Sequence, residues 1–228
     1  MAGVTTRRVR AVQRRLRAAQ GEFVPKPRRP IVDELILTVL SQATSDLNSE
    51  RAFSTLQARF DSWDEVLSAP VAKVADAIRS GGIADVKAGR IKTILREIET
   101  REGSVDLDRL NRLSDEEVDD YLRSLPGVGP KTAACVLVFS MGRAAFPVDT
   151  HVVRIVRRLG WVERTLSAEK VQAELTPRIP PDIRYDLHLA FIRHGREVCV
   201  ARRPRCSDCP IFDLCEAGPQ LLATGEAR

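Results

Sequence analysis

Apolar residues recur at helical spacing along almost the whole chain, and the apolar–polar alternation typical of strands is nearly absent. Ser114, with Glu117 three residues later, forms a capping box ahead of an apolar stripe, which indicates a helix start. Glycine and proline close most of the other periodic segments. We therefore predict an all-α protein of about ten helices joined by short loops. The other predicted helices span Ile31–Gln42, Asp46–Phe60, a short stretch after Ser62, Val71–Ser80, Val86–Arg101, Pro130–Met141, Thr150–Gly160, Ser167–Leu175 and Asp182–Val198.

The first 30 residues are strongly basic, with nine arginines and lysines against the single acid Glu22. Val9, Val12 and Leu16 lie at helical spacing, which predicts that part of this basic arm is an amphipathic helix. Its charged face is either solvated or makes additional contacts with phosphate. A mitochondrial transit peptide is also rich in arginine, but the absence of serine from this segment disfavours one.

The chain has 228 residues, enough for one large or two modest domains. No apolar run approaches the ~18 residues of a membrane span, and no secretion signal is evident. We expect a cytoplasmic, nucleoid-associated monomer with no membrane partner. A net charge of +5 favours an anionic partner without identifying it. Aromatic residues make up 5% of the chain, which disfavours a surface that stacks single-stranded bases.

Four cysteines near the C-terminus, Cys199, Cys206, Cys209 and Cys215, follow the spacing C-x6-C-x2-C-x5-C. Thiolates packed this tightly converge on one metal centre, and disulfides are disfavoured in a cytosolic protein. Zinc usually takes two close cysteine pairs, whereas here only one pair is close, so a [4Fe–4S] cluster fits better and zinc is the alternative. Cys135 lies in an apolar run and is most simply a small buried hydrophobe.

The segment Leu125–Thr132 lies between two predicted helices and carries a glycine-rich turn. Gly127 and Gly129 allow a tight turn and a close backbone approach, while Val128 can anchor the turn in the core. Pro130 suits the first position of the next helix. The amides of the turn then face outward, where they can bind phosphate. A plain helix–loop–helix corner is the alternative, but the following Pro-Lys-Thr and apolar helix resemble a helix-hairpin-helix DNA-binding motif.

Lys131 occupies the first turn of that helix, at the positive end of the helix dipole. That field disfavours the ammonium form, and a neutral lysine amine is a nucleophile toward an aldehyde-like carbon. The alternative is a lysine that contacts phosphate. Asp149 follows eighteen residues later, immediately before another apolar-periodic helix. It can cap that helix, and as a carboxylate facing Lys131 it could also accept a proton and stabilise positive charge on a sugar.

These features occur together, in this order, in the endonuclease III family of DNA glycosylases. The chain resembles that family from about Ile31 to Cys215. The resemblance implies two helical domains that flank a DNA cleft: a six-helix barrel over 31–143, and an iron–sulfur domain built from 1–30 and 144–228. The matching segments are Leu40–Thr44, Leu125–Ala133, Val148–Val152, His194–Arg196 and the four cysteines.

By this resemblance, Lys131 forms a Schiff base with C1′ of a damaged nucleotide and Asp149 is the catalytic aspartate. Gln42 fills the gap left by the flipped base, and Ile83 is the wedge that enters the duplex. Otherwise Gln42 is a helix cap and Ile83 a core residue. The further predicted DNA contacts are Gly127, Val128 and Gly129 in the hairpin, and Arg202, Arg203 and Arg205 between the first two cysteines.

The implied activity is that of a bifunctional DNA glycosylase/AP lyase in base excision repair. It excises oxidised pyrimidines from damaged duplex DNA, then cleaves the strand at the abasic site by β-elimination. The chain departs from the family at Arg123, at Ala84 and in a longer stretch over 103–121, which affects the expected substrate range. The alternatives are a monofunctional adenine- or mismatch-specific glycosylase, disfavoured by Lys131 and by Thr38 where the adenine-specific branch has glutamate, and a non-catalytic DNA-binding protein.

Overall fold

The computed structural model describes residues 4–228, and every regular element in them is helical, which confirms the predicted fold class. No helix in this part of the chain combines the length and apolar character needed to cross a membrane. Twelve α-helices are described: α1 Thr6–Gln20, α2 Ile31–Ser41, α3 Asp46–Arg59, α4 Trp63–Ser68, α5 Val71–Ala77, α6 Ala84–Glu102, α7 Asp115–Ser124, α8 Pro130–Cys135, α9 Thr150–Arg158, α10 Ala168–Leu175, α11 Arg184–Glu197 and α12 Gly218–Ala223.

Short helical turns fill several of the connections. A π-helical turn, Val136–Ser140, follows α8 directly. The 3₁₀ turns are Arg79–Gly81, Asp108–Arg112, Thr176–Arg178, Pro181–Ile183, Cys206–Asp208 and Phe212–Leu214.

The described chain divides into two compact units. Pro27–Arg143 form one unit, here called the barrel unit after the six-helix barrel predicted for it, and residues 4–26 together with Ala144–Arg228 form the cysteine unit. The division near the N-terminus therefore lies four residues before the predicted boundary at residue 30. Residues 1–3 of the predicted second domain lie outside the described residues.

The core of the barrel unit is centred on α2, whose residues are almost all buried. Local signals set the helices around it. Ser62 caps α4 through the amide of Glu65, and Gly103 ends α6 with a left-handed φ of 77°. The predicted capping box at the start of α7 is present, with the Ser114 and Glu117 side chains each accepting from the other's backbone amide.

The helix after the hairpin differs from the prediction of one α-helix to Met141. It is α-helical only to Cys135 and then widens into the π-helical turn, in which the amide of Met141 donates to the Val136 carbonyl at 3.2 Å. The Ser140 hydroxyl donates to the Arg29 carbonyl at 2.8 Å, so this turn is tied to the chain that enters α2. The helix that follows the hairpin is thus anchored at its far end.

The predicted amphipathic helix of the basic arm is confirmed as α1, and Val9, Val12 and Leu16 on it are fully buried in the core of the cysteine unit. Several of its arginines dock it onto that unit. Arg8 donates to the carbonyls of Leu159 and Leu214 at 3.2 and 3.0 Å. Arg10 forms a bidentate salt bridge with Asp182. The helix is therefore a structural part of the unit, with much of its charge already paired.

Helices α9 and α11 cross closely in the cysteine unit. A side chain at Gly195 would lie 2.7 Å from His151 Nδ1, so only glycine permits this approach. Arg154 donates to the Gly195 carbonyl at 2.8 Å and to the Cys199 carbonyl at 2.8 Å. The crossing fixes the start of the cysteine segment relative to α9.

Candidate active site and cluster ligands

The glycine-rich hairpin has the geometry that its sequence predicts. Val128 is buried, whereas Gly127 and Gly129 are exposed. Gly127 has a φ of 76°, a conformation that glycine adopts without strain. Gly129 is the N-cap residue of α8 and Pro130 follows at its first turn. The Val128 amide donates to the Leu125 carbonyl at 3.2 Å, while the exposed backbone of Gly127 and Gly129 leaves this corner accessible to an anion.

Lys131 lies one residue inside α8 and is half-buried. Within the barrel unit its amine makes no hydrogen bond and no ion pair with a described residue. It does act electrostatically on Glu34, a buried carboxyl on α2. Burial raises the pKa of Glu34 to about 7, with Arg29 and the Lys131 ammonium among the groups that lower it. The lysine amine is thus unpaired beside a carboxyl that titrates near neutral pH.

Gln42 is linked to the hairpin through Arg90 on α6. The Arg90 guanidinium donates to the Gln42 side-chain oxygen at 2.6 Å. The same side chain lies against the hairpin, since a Cβ on Gly127 would be 3.1 Å from Arg90 Nε. The structure therefore brings the predicted gap-filling residue and the hairpin together around one arginine. Gln42 is also the C-cap residue of α2, so the helix-cap alternative describes its backbone.

Ile83 lies at the end of the turn that precedes α6, and its side chain is 61% exposed. The alternative of a core residue is therefore wrong. Its φ of 39° places it in the left-handed region, which is strained for a β-branched residue. Val86, in the first turn of α6, is similarly exposed. The structure thus presents an apolar side chain to solvent from a strained turn.

Asp149 is the N-cap residue of α9 in the cysteine unit. Its Oδ1 accepts from the Val152 amide at 2.8 Å, so the predicted capping role is confirmed. Its second carboxylate oxygen has no hydrogen-bond partner in the described part of that unit. The cap fixes the orientation of the carboxylate and leaves one oxygen for other chemistry.

The four cysteines lie around one pocket, which Arg158 and His194 also line. All four are free thiols, which excludes the disulfide alternative for this structure. Arg158 donates to the Cys199 sulfur at 3.2 Å and to the Val200 carbonyl at 2.8 Å. A cationic donor of this kind stabilises a thiolate ligand.

The pocket and its sulfurs fit a cluster. Burial raises the pKa of the thiols of Cys206, Cys209 and Cys215, in the case of Cys209 to about 12. These sulfurs would hold their protons at neutral pH without metal, and iron binding would displace the protons. Four sulfurs lining one apolar pocket are the donor set that an iron–sulfur cluster takes.

The three predicted phosphate-contacting arginines differ in their surroundings. Arg202 and Arg203 are exposed and have no hydrogen bond or ion pair in the described part of their unit. Arg205 is half-buried, and its Nε donates to the Glu197 carbonyl at 2.8 Å. Arg205 therefore holds the segment between Cys199 and Cys206, here called the cluster loop, to α11, while the other two arginines carry unpaired charge.

Sequence reasoning missed three residues of the barrel unit that surround the predicted site: Glu34, Lys87 and Arg90. Each is charged and lies in or beside an apolar stripe of a helix. Glu34 and Lys87 stand at positions where the helical period requires apolar side chains, and that conflict was the available signal. Arg90 gave no such signal, because its role depends on the tertiary approach of the hairpin.

Comparison with known proteins assigns the chain to a protein family. Residues 36–181 match the HhH-GPD superfamily of base excision DNA repair proteins. Residues 199–215 match the iron–sulfur binding domain of endonuclease III. The fold and the pocket define an iron–sulfur protein of the helix-hairpin-helix class. The chain belongs to the HhH-GPD superfamily, as a DNA glycosylase/AP lyase of base excision repair that binds DNA and carries a [4Fe–4S] cluster.

Similar proteins come from several kingdoms. An Arabidopsis thaliana protein assigned as a DNA glycosylase is 41% identical over 81% of this chain and 67% of its own length. Endonuclease III of Thermotoga maritima is 35% identical over 80% of this chain and 81% of its own length. Protein ROS1C of rice is 35% identical, but the matched part is 67% of this chain and 9% of that protein.

A solved structure of endonuclease III in a non-covalent complex with DNA superposes with a TM-score of 0.81. It is 27% identical in sequence and covers 96% of this chain and 99% of that chain.

Proposed function

We propose that this enzyme excises oxidised pyrimidines from duplex DNA and cleaves the strand at the resulting abasic site, with Lys131 as nucleophile and Asp149 as its proton-transfer and electrostatic partner. The observation that carries this proposal is the half-buried, unpaired amine of Lys131 in the first turn of α8, directly after the exposed glycines of the hairpin. The amides hold a phosphate, which places the neighbouring sugar within reach of the amine.

The proposed chemistry uses the two side chains in sequence. The Lys131 amine attacks C1′ and the bond to the base breaks, with the base taking a proton as it leaves. Loss of the amine proton and opening of the sugar give a Schiff base, and we assign to Asp149 the acceptance of protons and the stabilisation of the positive charge. Removal of a proton from C2′ then expels the 3′ phosphate by β-elimination.

The partner of this reaction is duplex DNA that contains a damaged base or an abasic site. The target nucleotide must leave the stack, which costs a few kcal/mol. We assign the compensating contacts to Gln42 and Ile83, and the phosphate contacts to the hairpin and to Arg202 and Arg203. Support comes from the exposure of Ile83 and from the unpaired charge of the two arginines.

The lysine assignment is tested by borohydride trapping on a duplex with one abasic site. Lys131→Gln should bind this duplex with nearly parental affinity, because phosphate contacts come from amides and arginines, yet give no trapped adduct. Lys170→Gln is the matched control, since Lys170 also lies in the first turn of a helix but is exposed. A trapped adduct at the parental rate from Lys131→Gln would show that another amine is the nucleophile.

The aspartate assignment is tested by Asp149→Asn. Asparagine caps a helix about as well as aspartate, so α9 and the fold should be retained. Base excision should fall by about 10²-fold, because the amide cannot accept a proton. Thermal unfolding compares the two proteins, and parental excision by a stable Asp149→Asn variant would reduce Asp149 to a helix cap.

The substrate is tested with a panel of duplexes under single-turnover conditions. It contains an oxidised pyrimidine, 5-methylcytosine, thymine opposite guanine, and adenine opposite 8-oxoguanine. Adenine belongs in the panel because the buried carboxyl of Glu34 lies on α2 one turn before Thr38, where the adenine-specific branch has glutamate. Excision of adenine without strand cleavage would favour the monofunctional alternative, and binding without any cleavage would favour the non-catalytic one.

A further inference from the structure

A buried lysine joins the two turns that carry Gln42 and Ile83. The side chain of Lys87 on α6 is within hydrogen-bonding distance of three groups: the Leu40 carbonyl at 2.6 Å, the Thr44 hydroxyl at 2.6 Å and the Gly81 carbonyl at 2.8 Å. An ammonium group has three donors, so all of them are used. The residue is 2% exposed. Lys87 is therefore fully committed to bonds within the protein.

Each of those three partners lies two residues from Gln42 or Ile83, the two residues predicted to enter the DNA duplex. Leu40 lies two residues before Gln42, and Thr44 lies two residues after it. Gly81 lies two residues before Ile83. The backbone amide of Lys87 also donates to the Ile83 carbonyl at 3.1 Å, as the first turn of α6. One residue thus contacts both turns through its side chain and the second turn again through its backbone.

Both turns are strained, and a second bond links them. Ala43 and Ile83 have φ values of 51° and 39°, the left-handed region that residues other than glycine rarely adopt. The Thr44 hydroxyl, which accepts from Lys87, also lies within hydrogen-bonding distance of the Gly81 carbonyl. Strained conformations persist only where surrounding contacts fix them. Lys87 and Thr44 supply such contacts here.

We propose that Lys87 is a positioning residue that fixes these two turns relative to each other, so that Gln42 and Ile83 enter the duplex as one rigid unit. This inference rests on the proposed function of those two side chains. Lys87 itself touches neither the DNA nor the reacting atoms. Its loss should impair the opening of an intact stack far more than the chemistry at a site that is already open.

The test uses the full-length protein and the variant Lys87→Met. Its readout is the ratio of two rates: excision of a paired damaged base, which needs the stack to be opened, and cleavage of a preformed abasic site. We expect this ratio to fall about tenfold or more, because displaced invading groups act mainly on the first step. A 2-aminopurine beside the lesion should also lose the fluorescence rise that reports unstacking.

Lys92→Met is the matched control. Lys92 is a second buried lysine on α6, but it caps the end of α4 through the carbonyls of Val66, Leu67 and Ala69. Its removal should lower the melting temperature comparably and leave the ratio unchanged. If Lys92→Met lowers the ratio as much as Lys87→Met does, the effect reflects lost stability and the positioning role is overturned.

Thr44→Val is a second test of the positioning role, and it keeps both Lys87 and Lys92. It removes the hydroxyl that contacts Lys87 and the Gly81 carbonyl, and the ratio should fall in the same direction even if Lys87→Met does not fold. An unchanged ratio in Thr44→Val, or in a folded Lys87→Met, would overturn the inference. Failure of the parental enzyme to excise any paired lesion while it still cleaves abasic sites would instead count against the proposed function.

Discussion

Glu34 places an ionisable carboxyl group inside the apolar face of a buried helix. Its side chain is 8% exposed, and its closest cation is Arg29, at 3.7 Å between Nη1 and Oε2. Arg29 is also shared with Glu50, at 3.0 Å, so it does not neutralise Glu34 alone. Burial dominates and raises the pKa of Glu34 to about 7, against the opposing effects of Arg29, Thr38 and Lys131. The carboxyl is thus partly protonated in the range where the enzyme is expected to work.

This environment predicts a pH-dependent cost in stability. Between the unfolded pKa of about 4.3 and the folded value of about 7, the folded protein keeps a proton that the unfolded chain has released. Stability from Glu34 is therefore lost as the pH rises through that window. Glu34→Gln should gain stability relative to the parent by about 2 kcal/mol more at pH 8 than at pH 5. Urea denaturation at the two pH values measures this difference.

Glu99→Gln, an exposed substitution on α6, is the control and should change the free energy of unfolding equally at pH 5 and pH 8. A Glu34→Gln effect that is the same at pH 5 and pH 8 would mean that the carboxyl titrates normally.

At the scale of the helices, the elements with local start and stop signals were predictable. Ser62, Ser114 and Gly103 act through bonds to residues three or four positions away, so their roles are visible in the sequence. The π-helical end of the hairpin helix was not predictable, because no glycine or proline marks it. One tie that holds it is the long-range bond from Ser140 to the Arg29 carbonyl, which no local pattern shows.

The candidate site divides in the same way. The hairpin and the cap at Asp149 depend on short-range geometry and followed from the sequence. The contacts of Lys87 and Arg90 depend on which turns pack against α6, and no local pattern specifies that. The left-handed conformation of Ile83 is a further case, since its residue type argues against it. A residue whose backbone conformation opposes the preference of its residue type is expected at a functional site.

The conflict between the isoleucine side chain at position 83 and its left-handed backbone can be tested by substitution. Ile83→Gly removes an exposed side chain from a left-handed position, so relief of about 1–2 kcal/mol of strain offsets the greater flexibility of glycine in the unfolded chain. We expect the melting temperature to be maintained or raised, while excision of a paired damaged base falls and cleavage of an abasic site is retained. Ile83→Ala, which keeps the strain, should lose the same activity without the gain in stability.

A marked loss of stability in Ile83→Gly would show that the side chain packs despite its exposure. Equal loss of activity on both substrates would remove its assignment as a wedge.

For the molecule as a whole, a net charge of +5 overstates the charge available for DNA. On α1, Arg8, Arg10, Arg15 and Arg17 each have an acidic partner. Much of the positive charge of the arm is therefore paired with acidic side chains within the cysteine unit. Additional phosphate contacts by the arm would have to come from its remaining basic residues. The exposed, unpaired arginines of the cluster loop are better placed for that role by their surroundings.

The salt dependence of DNA binding separates these uses of arginine. Each phosphate contact that is lost lowers the slope of log Kd against log salt concentration by about one unit. Arg202→Gln should show this change, because its guanidinium has no partner in its unit. Arg205→Gln should change the slope less, because its guanidinium already donates to the Glu197 carbonyl and holds the loop against α11. Arg178→Gln, which removes an arginine paired with Glu174 at 3.5 Å, changes the net charge equally and should leave the slope unchanged. Equal slopes for Arg202→Gln and Arg178→Gln would mean that Arg202 acts only through net charge, and the cluster loop would then lose its proposed contact with phosphate.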